Sequence, residues 1–177
     1  MPMKFLITGG AGFIGKWLLE KLPADAEIVV IDSLDEQVHQ SSDDFAPELE
    51  ARAICIKADV QCIEEHIEAV EGTDVVIHLA SQTGTGQSMY EISRYVQQNV
   101  NGTAKLLELI SKLKHKPRRM ILSSSRAVYG DGAYTDSEEI YYSRGRRVED
   151  LQQGIWEVCS DQGKPLQSLP MHESHLT

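Results

Sequence analysis

Two groups of residues in this chain have the types and spacing to do chemistry. The first is Thr8-Gly9-Gly10-Ala11-Gly12-Phe13-Ile14-Gly15, where a short apolar run breaks into glycines and a helical pattern follows at once. In such a loop Gly9 permits a tight turn, Gly12 lets a ligand approach the backbone, and Gly15 allows a helix to pack closely on a strand. The free N–H groups and positive dipole end of that helix then face an anion, and a diphosphate suits them. A second apolar run ends in Ile31-Asp32, and a carboxylate about 20 residues after the first glycine is placed to accept hydrogen bonds from a ribose. Asp32 stands 23 positions beyond Gly9 and is followed by Ser-Leu-Asp-Glu-Gln, with no Lys or Arg to receive a 2′-phosphate. Dinucleotide binding is implied, with NAD favoured over NADP, against the plainer reading of glycines as punctuation and Asp32 as a turn cap. The second group is Ser123-Ser124-Ser125, three hydroxyls between an apolar run and Arg126-Ala127-Val128-Tyr129-Gly130. They are either the end of a strand or part of an active site.

The elements that must position these groups show in the hydrophobic pattern. Apolar runs of strand length recur at Lys4–Thr8, Glu27–Ile31, Ala53–Lys57, Asp74–Leu79 and Arg119–Ser123. Continuous runs of this kind suit parallel strands covered on both faces. Helical patterns lie between them: Phe13–Leu22, Ile63–Val70, and a longer one from about Ile92 to His115 that carries Val96, Val100, Leu106, Leu107, Ile110 and Leu113. The alternation predicts βαβ units and a doubly wound parallel sheet of α/β class. From Asp131 the chain turns polar. There Val148, Leu151, Ile155 and Val158 predict one amphipathic helix over about 147–160, with the rest as loop.

Composition excludes several function classes. The 177 residues are 41% hydrophobic and 25% charged, which is ordinary for a soluble domain. A net charge of −10 argues against binding to nucleic acid or to an anionic membrane. Cys55, Cys62 and Cys159 are odd in number and lack metal-ligand spacing, so neither a disulfide framework nor a metal site is expected. With no signal segment and no long apolar run, the expected location is the cytoplasm.

The spacing GxxGxxG, taken with Asp32, Asp59-Val60, His78-Leu79-Ala80-Ser81, Gln98-Asn99-Val100-Asn101-Gly102-Thr103 and Ser123 to Gly130, resembles the extended short-chain dehydrogenase/reductase family. Within it the chain looks most like the NAD-dependent nucleotide-sugar epimerases and dehydratases, in order and with family spacing from Lys4 to about Gly130. The resemblance implies a Rossmann-like sheet of five strands in order 3-2-1-4-5, incomplete relative to the family. It implies an NAD-binding domain over 1–130 and a polar insertion over 131–177. It places Phe13 and Ile14 under the pyrophosphate, Asp32 and Ser33 on the adenosine ribose, and Asp59 and Val60 beside the adenine. Leu79, Ala80 and Ser81 would line the nicotinamide-side ribose. Asn99 matches a helix asparagine of chiefly structural role, and Gln98 a neighbouring position that contacts cofactor in some relatives. His78 reads as a buried strand residue rather than a base. Ser123 and Ser124 read as strand-end residues bringing backbone near the nicotinamide, and Ser125 aligns with the catalytic Ser/Thr.

In the family that hydroxyl works with a tyrosinate from YxxxK, whose lysine lowers the tyrosine pKa. Here Tyr90, Tyr95, Tyr129, Tyr134, Tyr141 and Tyr142 are followed four residues on by Arg94, Asn99, Ala133, Glu138, Gly145 and Arg146. None gives the motif, and Tyr141 or Tyr142 with Arg144 or Arg146 is a poor substitute because arginine does not give up its proton. Glu173 to Thr177 looks like the approach to the missing tyrosine, so the expectation is an N-terminal fragment, inactive alone. The positions after Ser125 are Arg126 and Ala127, where family dehydratases carry an acidic pair, so epimerisation at a sugar carbon, C4 in the family, is favoured. The alternatives are a 4,6-dehydratase or reductase of the same family, or a non-catalytic NAD-binding module. The implied substrate is a nucleotide-sugar, an NDP-hexose or deoxyhexose. Arg144 to Arg147 are either solvated arginines or a contact for its diphosphate. A homodimer through the long helix is implied for the full-length protein.

Overall fold

The computed structural model describes residues 2–39, 44–143 and 145–175. They form two compact units, Met1–Ser123 and Ser124–Thr177. In the first, β1 (Lys4–Thr8) runs into α1 (Phe13–Lys21), then β2 (Glu27–Asp32), the single turns α2 (Glu36–His39) and α3 (Pro47–Glu50), and β3 (Ile54–Lys57). A stretch of 3-10 turns over Val60–His66 leads to α4 (Ile67–Val70) and β4 (Val75–His78). A long helix then opens as α5 (Ile92–Tyr95), widens to π geometry over Val96–Asn101, closes as α6 (Gly102–Lys112), and returns to β5 (Arg119–Leu122).

The five strands are all parallel, in the order β3-β2-β1-β4-β5. Side chains of a strand alternate between faces, and β1 shows the consequence. Phe5 and Ile7 join Leu19, Ile28, Val30, Phe45 and Leu49 on one face. Leu6 joins Val29, Ile31, Ile63, Val76, Leu106 and Leu109 on the other. Helices therefore cover both faces, and β1 is buried throughout apart from Lys4. The strand order reverses between β1 and β4, so a crevice opens at the carboxyl ends of the strands, where α/β sheets bind ligands.

The second unit differs from its sequence expectation. Residues 147–160 do not form one helix: α7 spans Val148–Gln152 and stops before Gly154, whose φ of 76° leaves helical space. The polar remainder contains a three-stranded antiparallel sheet, β7-β6-β8, built from β6 (Ala133–Thr135), β7 (Ile140–Tyr142) and β8 (Gln167–Ser168). Asp136 secures the β6–β7 turn by accepting from the N–H groups of Glu138 and Glu139 and from the Tyr141 hydroxyl. Those donors hold its carboxyl down to about 2. Among the described residues no helix is long and apolar enough to cross a membrane.

Candidate functional site

The loop between β1 and α1 makes its turn at Gly9. Gly9 has a φ of 72°, and a Cβ there would lie 2.5 Å from the Ala80 nitrogen, so the loop turns hard against the end of β4. A Cβ on Gly15 would run into the Gly10 carbonyl, so α1 is pressed onto its own loop. Gly12 is different. Its φ and ψ of −70° and 176° suit any residue, and a Cβ there would meet nothing nearer than the Gly9 carbonyl at 3.4 Å. Gly12 is also the N-cap of α1, and among the described residues no side chain caps that terminus. The first-turn N–H groups are thus open, with Phe13 and Ile14 exposed beside them.

Asp32 closes β2 and is buried beside this loop, 8% exposed. Its Oδ2 accepts from the Ala11 N–H and its Oδ1 from the Leu34 N–H, each at 2.9 Å. The carboxylate is therefore fixed in place, with further lone pairs left for a ligand. Ser33, next along, is exposed. After β3, Asp59 caps the 3-10 turns by accepting from the Gln61 N–H at 2.8 Å, and its other oxygen accepts from Gln98 Nε2 at 2.6 Å. The Val60 side chain is buried in the core. After β4, Leu79 and Ala80 are half-buried and Ser81 is exposed. Asn99 clips the following residue from both sides, accepting from the Gln82 N–H at 2.8 Å and donating to the Gln82 carbonyl at 3.0 Å.

Sequence reasoning missed the links that join these loops. Gln82 Nε2 donates to Asp35 Oδ2 at 2.9 Å, and Arg94 donates to the same oxygen at 3.1 Å. The Gln82 amide first, then the Gln37 N–H and Arg94, hold the Asp35 carboxyl below its ordinary range against the opposing effect of burial. The turn after β2 is thereby tied to the loop after β4 and to α5. No motif carries that signal, because an Asp, a Gln and an Arg far apart in sequence are unremarkable until the strand order brings them together.

His78, at the end of β4, is 2% exposed. Thr103 Oγ1 donates to the Asn99 carbonyl at 2.6 Å, so it receives the Nε2–H of His78 at 2.9 Å, which leaves Nδ1 to accept from the Thr8 hydroxyl. Both ring nitrogens are engaged, and burial lowers the imidazole pKa. His78 links β1, β4 and α6 as a neutral group.

Of the serines, Ser123 sits at the end of β5, with its N–H and Oγ both directed to the His78 carbonyl at 3.3 Å. Ser125 belongs to the second unit. There its exposed hydroxyl oxygen accepts from the Ala127 N–H at 3.1 Å and caps a 3-10 turn over Arg126–Tyr129. Arg146 is committed within the same unit, to Asp131 at 3.2 Å and the Trp156 carbonyl at 2.8 Å. Arg144, Leu176 and Thr177 lie outside the described residues. The first unit therefore brings Gly9, Gly12, Phe13, Ile14, Gly15, Asp32, Ser33, Asp59, Leu79, Ala80, Ser81, Gln98, Asn99 and Ser123 to the carboxyl-terminal edge of the parallel sheet, where its strands end; the Val60 side chain turns into the core instead, and Ser125 is described apart from them.

Comparison with known proteins bears on this edge. The chain is 38% identical to dTDP-L-rhamnose 4-epimerase of Burkholderia thailandensis, over 87% of its own length and 43% of that protein. It is 31% identical to UDP-glucose 4-epimerase of Mus musculus, over 80% and 43%. The chain thus spans about two fifths of the length of the curated relatives it matches. Among solved structures, dTDP-glucose 4,6-dehydratase from Streptomyces venezuelae, with NAD bound, superposes with a TM-score of 0.62 at 28% identity, over 77% of this chain and 45% of that one. The model of the NAD dependent epimerase/dehydratase family matches residues 5–146. That span takes in the parallel sheet from Phe5 onward, the glycine loop and Asp32, and the chain belongs to this family of NAD-binding Rossmann proteins.

Proposed function

We propose that the protein epimerises a nucleotide-sugar, most readily a deoxyhexose on a nucleoside diphosphate, by transient oxidation at C4 with NAD as resident cofactor. The observation that carries the cofactor half is Gly12, a glycine that neither its backbone angles nor its packing requires, set at an uncapped helix N-terminus. A ligand coming up to the backbone accounts for it. In this reading the α1 N-terminus and the loop hold the pyrophosphate, Asp32 and Ser33 the adenosine ribose, Asp59 the adenine, and Leu79 to Ser81 with Ser123 the nicotinamide end. NAD bound there supplies a group that takes up hydride and returns it. Ser125 positions the sugar hydroxyl that loses its proton. Arg126 and Ala127 offer no carboxylate to drive loss of water, which favours epimerisation over dehydration.

No tyrosine of the sequence has a lysine four residues on, so the chain alone should bind NAD without turnover. The same observation favours a second reading, a non-catalytic NAD-binding module. The three free thiols suit a reducing cytoplasm, and the exposed Val96, Val100 and Leu107 suit a homodimer through the long helix.

The test is direct. Calorimetric titration of the chain with NAD should give a saturable isotherm that Gly12→Val abolishes. The protein as the gene encodes it, given dTDP-L-rhamnose or UDP-glucose, should invert C4 with no net change in NADH absorbance. A dehydrated keto-sugar would assign the other family reaction, and NAD binding without any conversion would assign the module.

A further inference from the structure

The turn after β2 folds back over the residue that precedes it. Leu34 adopts a left-handed backbone, with a φ of 52°, and the Asp35 carbonyl accepts from the N–H groups of Val38 and His39 at 2.9 and 3.0 Å. This brings the His39 imidazole beside Asp32, Nε2 lying 3.7 Å from Oδ1, with the two side chains only 14% and 9% exposed. Among the described residues Asp32 is the one carboxylate paired with that nitrogen within 4 Å. The separation is too long for a hydrogen bond. It is also short enough for one hydroxyl oxygen to bridge both atoms with bonds of about 2.8 Å.

The chemistry of the pair matches such a guest. Asp32 only accepts, and the Ala11 and Leu34 N–H groups are already directed to it. A hydroxyl that donates to Oδ1 keeps its own lone pairs in a nearly dry corner, where an acceptor left unmet is costly. In its Nε2–H tautomer the His39 imidazole is the donor placed to meet it. We infer that His39 is a second ligand of the adenosine ribose, donating through Nε2 to the hydroxyl whose proton goes to Asp32. The inference rests on the cofactor reading of Asp32. Where that hydroxyl is the 2′ one, the pair also disfavours a 2′-phosphate, which would have to face the Asp32 carboxylate.

The test uses the chain itself, with NAD and two NAD analogues lacking the 2′- or the 3′-hydroxyl of the adenosine ribose. His39→Ala should weaken NAD on the order of tenfold, with the melting temperature unchanged. One of the two analogues should bind wild type comparably weakly and lose nothing further in His39→Ala. His39→Gln, which keeps an N–H at similar reach, should recover most of the affinity. Losses that multiply for both analogues, or a Gln variant no better than Ala, would overturn the assignment. Strong loss in Asp32→Ala with intact affinity in His39→Ala sinks it alone. No effect in Asp32→Ala, or no NAD binding by wild type, brings down the cofactor reading and the inference together.

Discussion

A methyl group added at Gly9 would lie 2.5 to 2.7 Å from the Leu79–Ala80 backbone at a φ of 72°, whereas at Gly12 it would approach only the Gly9 carbonyl, at 3.4 Å. Two glycines three residues apart therefore answer to different demands, one internal and one external. Gly9→Ala should destabilise the chain by about 2–4 kcal/mol, because it combines a strained backbone with a clash against main chain. Gly12→Ala should change stability by less than about 1 kcal/mol, since its backbone is already extended, while weakening NAD binding at least tenfold. Thermal melts paired with calorimetry separate the two, and a Gly12→Ala variant that binds NAD as wild type does would remove the pyrophosphate from this loop. At this scale the sequence is informative wherever residue type and spacing carry the signal, as with Gly9, Gly12, Gly15 and Asp32. It is silent on His39, Asp35 and Gln82. Asp35 and His39 depend on a left-handed turn at Leu34, a residue type that does not announce one, and Gln82 is set by Asn99, 17 residues on.

Between elements, the chain Thr8, His78, Thr103, Asn99 ties the central strand to its neighbour and to the long helix. Because burial lowers the His78 pKa, the unfolded chain binds a proton near pH 6.5 that the folded chain refuses. The stabilisation is complete above about pH 6.5 and is lost as pH falls towards the folded pKa. Denaturant midpoints should therefore drop between pH 7.5 and 5, and the drop should shrink in His78→Gln. That variant should also lose about 1–3 kcal/mol at pH 7.5, because a buried hydroxyl partner is left unmet. A pH dependence identical to wild type would show that His78 is not the group responsible. The elements themselves were legible to differing degrees. All five parallel strands lie within a residue or two of their apolar runs, because a short run of apolar residues marks a strand even where, as in β3 and β5, it is only partly buried. The long helix was legible as a helix but not in its π stretch over Val96–Asn101. That widening coincides with the side chains of Gln98 and Asn99 reaching Asp59 and Gln82, tertiary demands that hydrophobic periodicity does not record.

For the whole molecule, the polar segment after Asp131 reads as loop in the sequence because its strands are only two or three residues long, too short for an alternation to register. What the sequence does forecast is the apolar surface of the first unit. Ile92, Val96, Val100 and Leu107 are each at least half exposed along one helix, at steps of four, four and seven. β5 ends the sheet, with Ile121 and Leu122 45% and 58% exposed. Single exposed apolar residues are ordinary, but a stripe and a bare sheet edge are two separate invitations to associate. The stripe would give a dimer that saturates, because a helix face pairs with its own copy and closes. The edge would give open-ended growth where β5 of one copy pairs with the opposite edge, β3, of the next, because that contact does not close. Sedimentation velocity across concentration should show a monomer–dimer equilibrium that Val100→Glu with Leu107→Glu returns to monomer, and that Leu122→Lys leaves in place. Species larger than a dimer that disappear in Leu122→Lys would instead assign the association to β5.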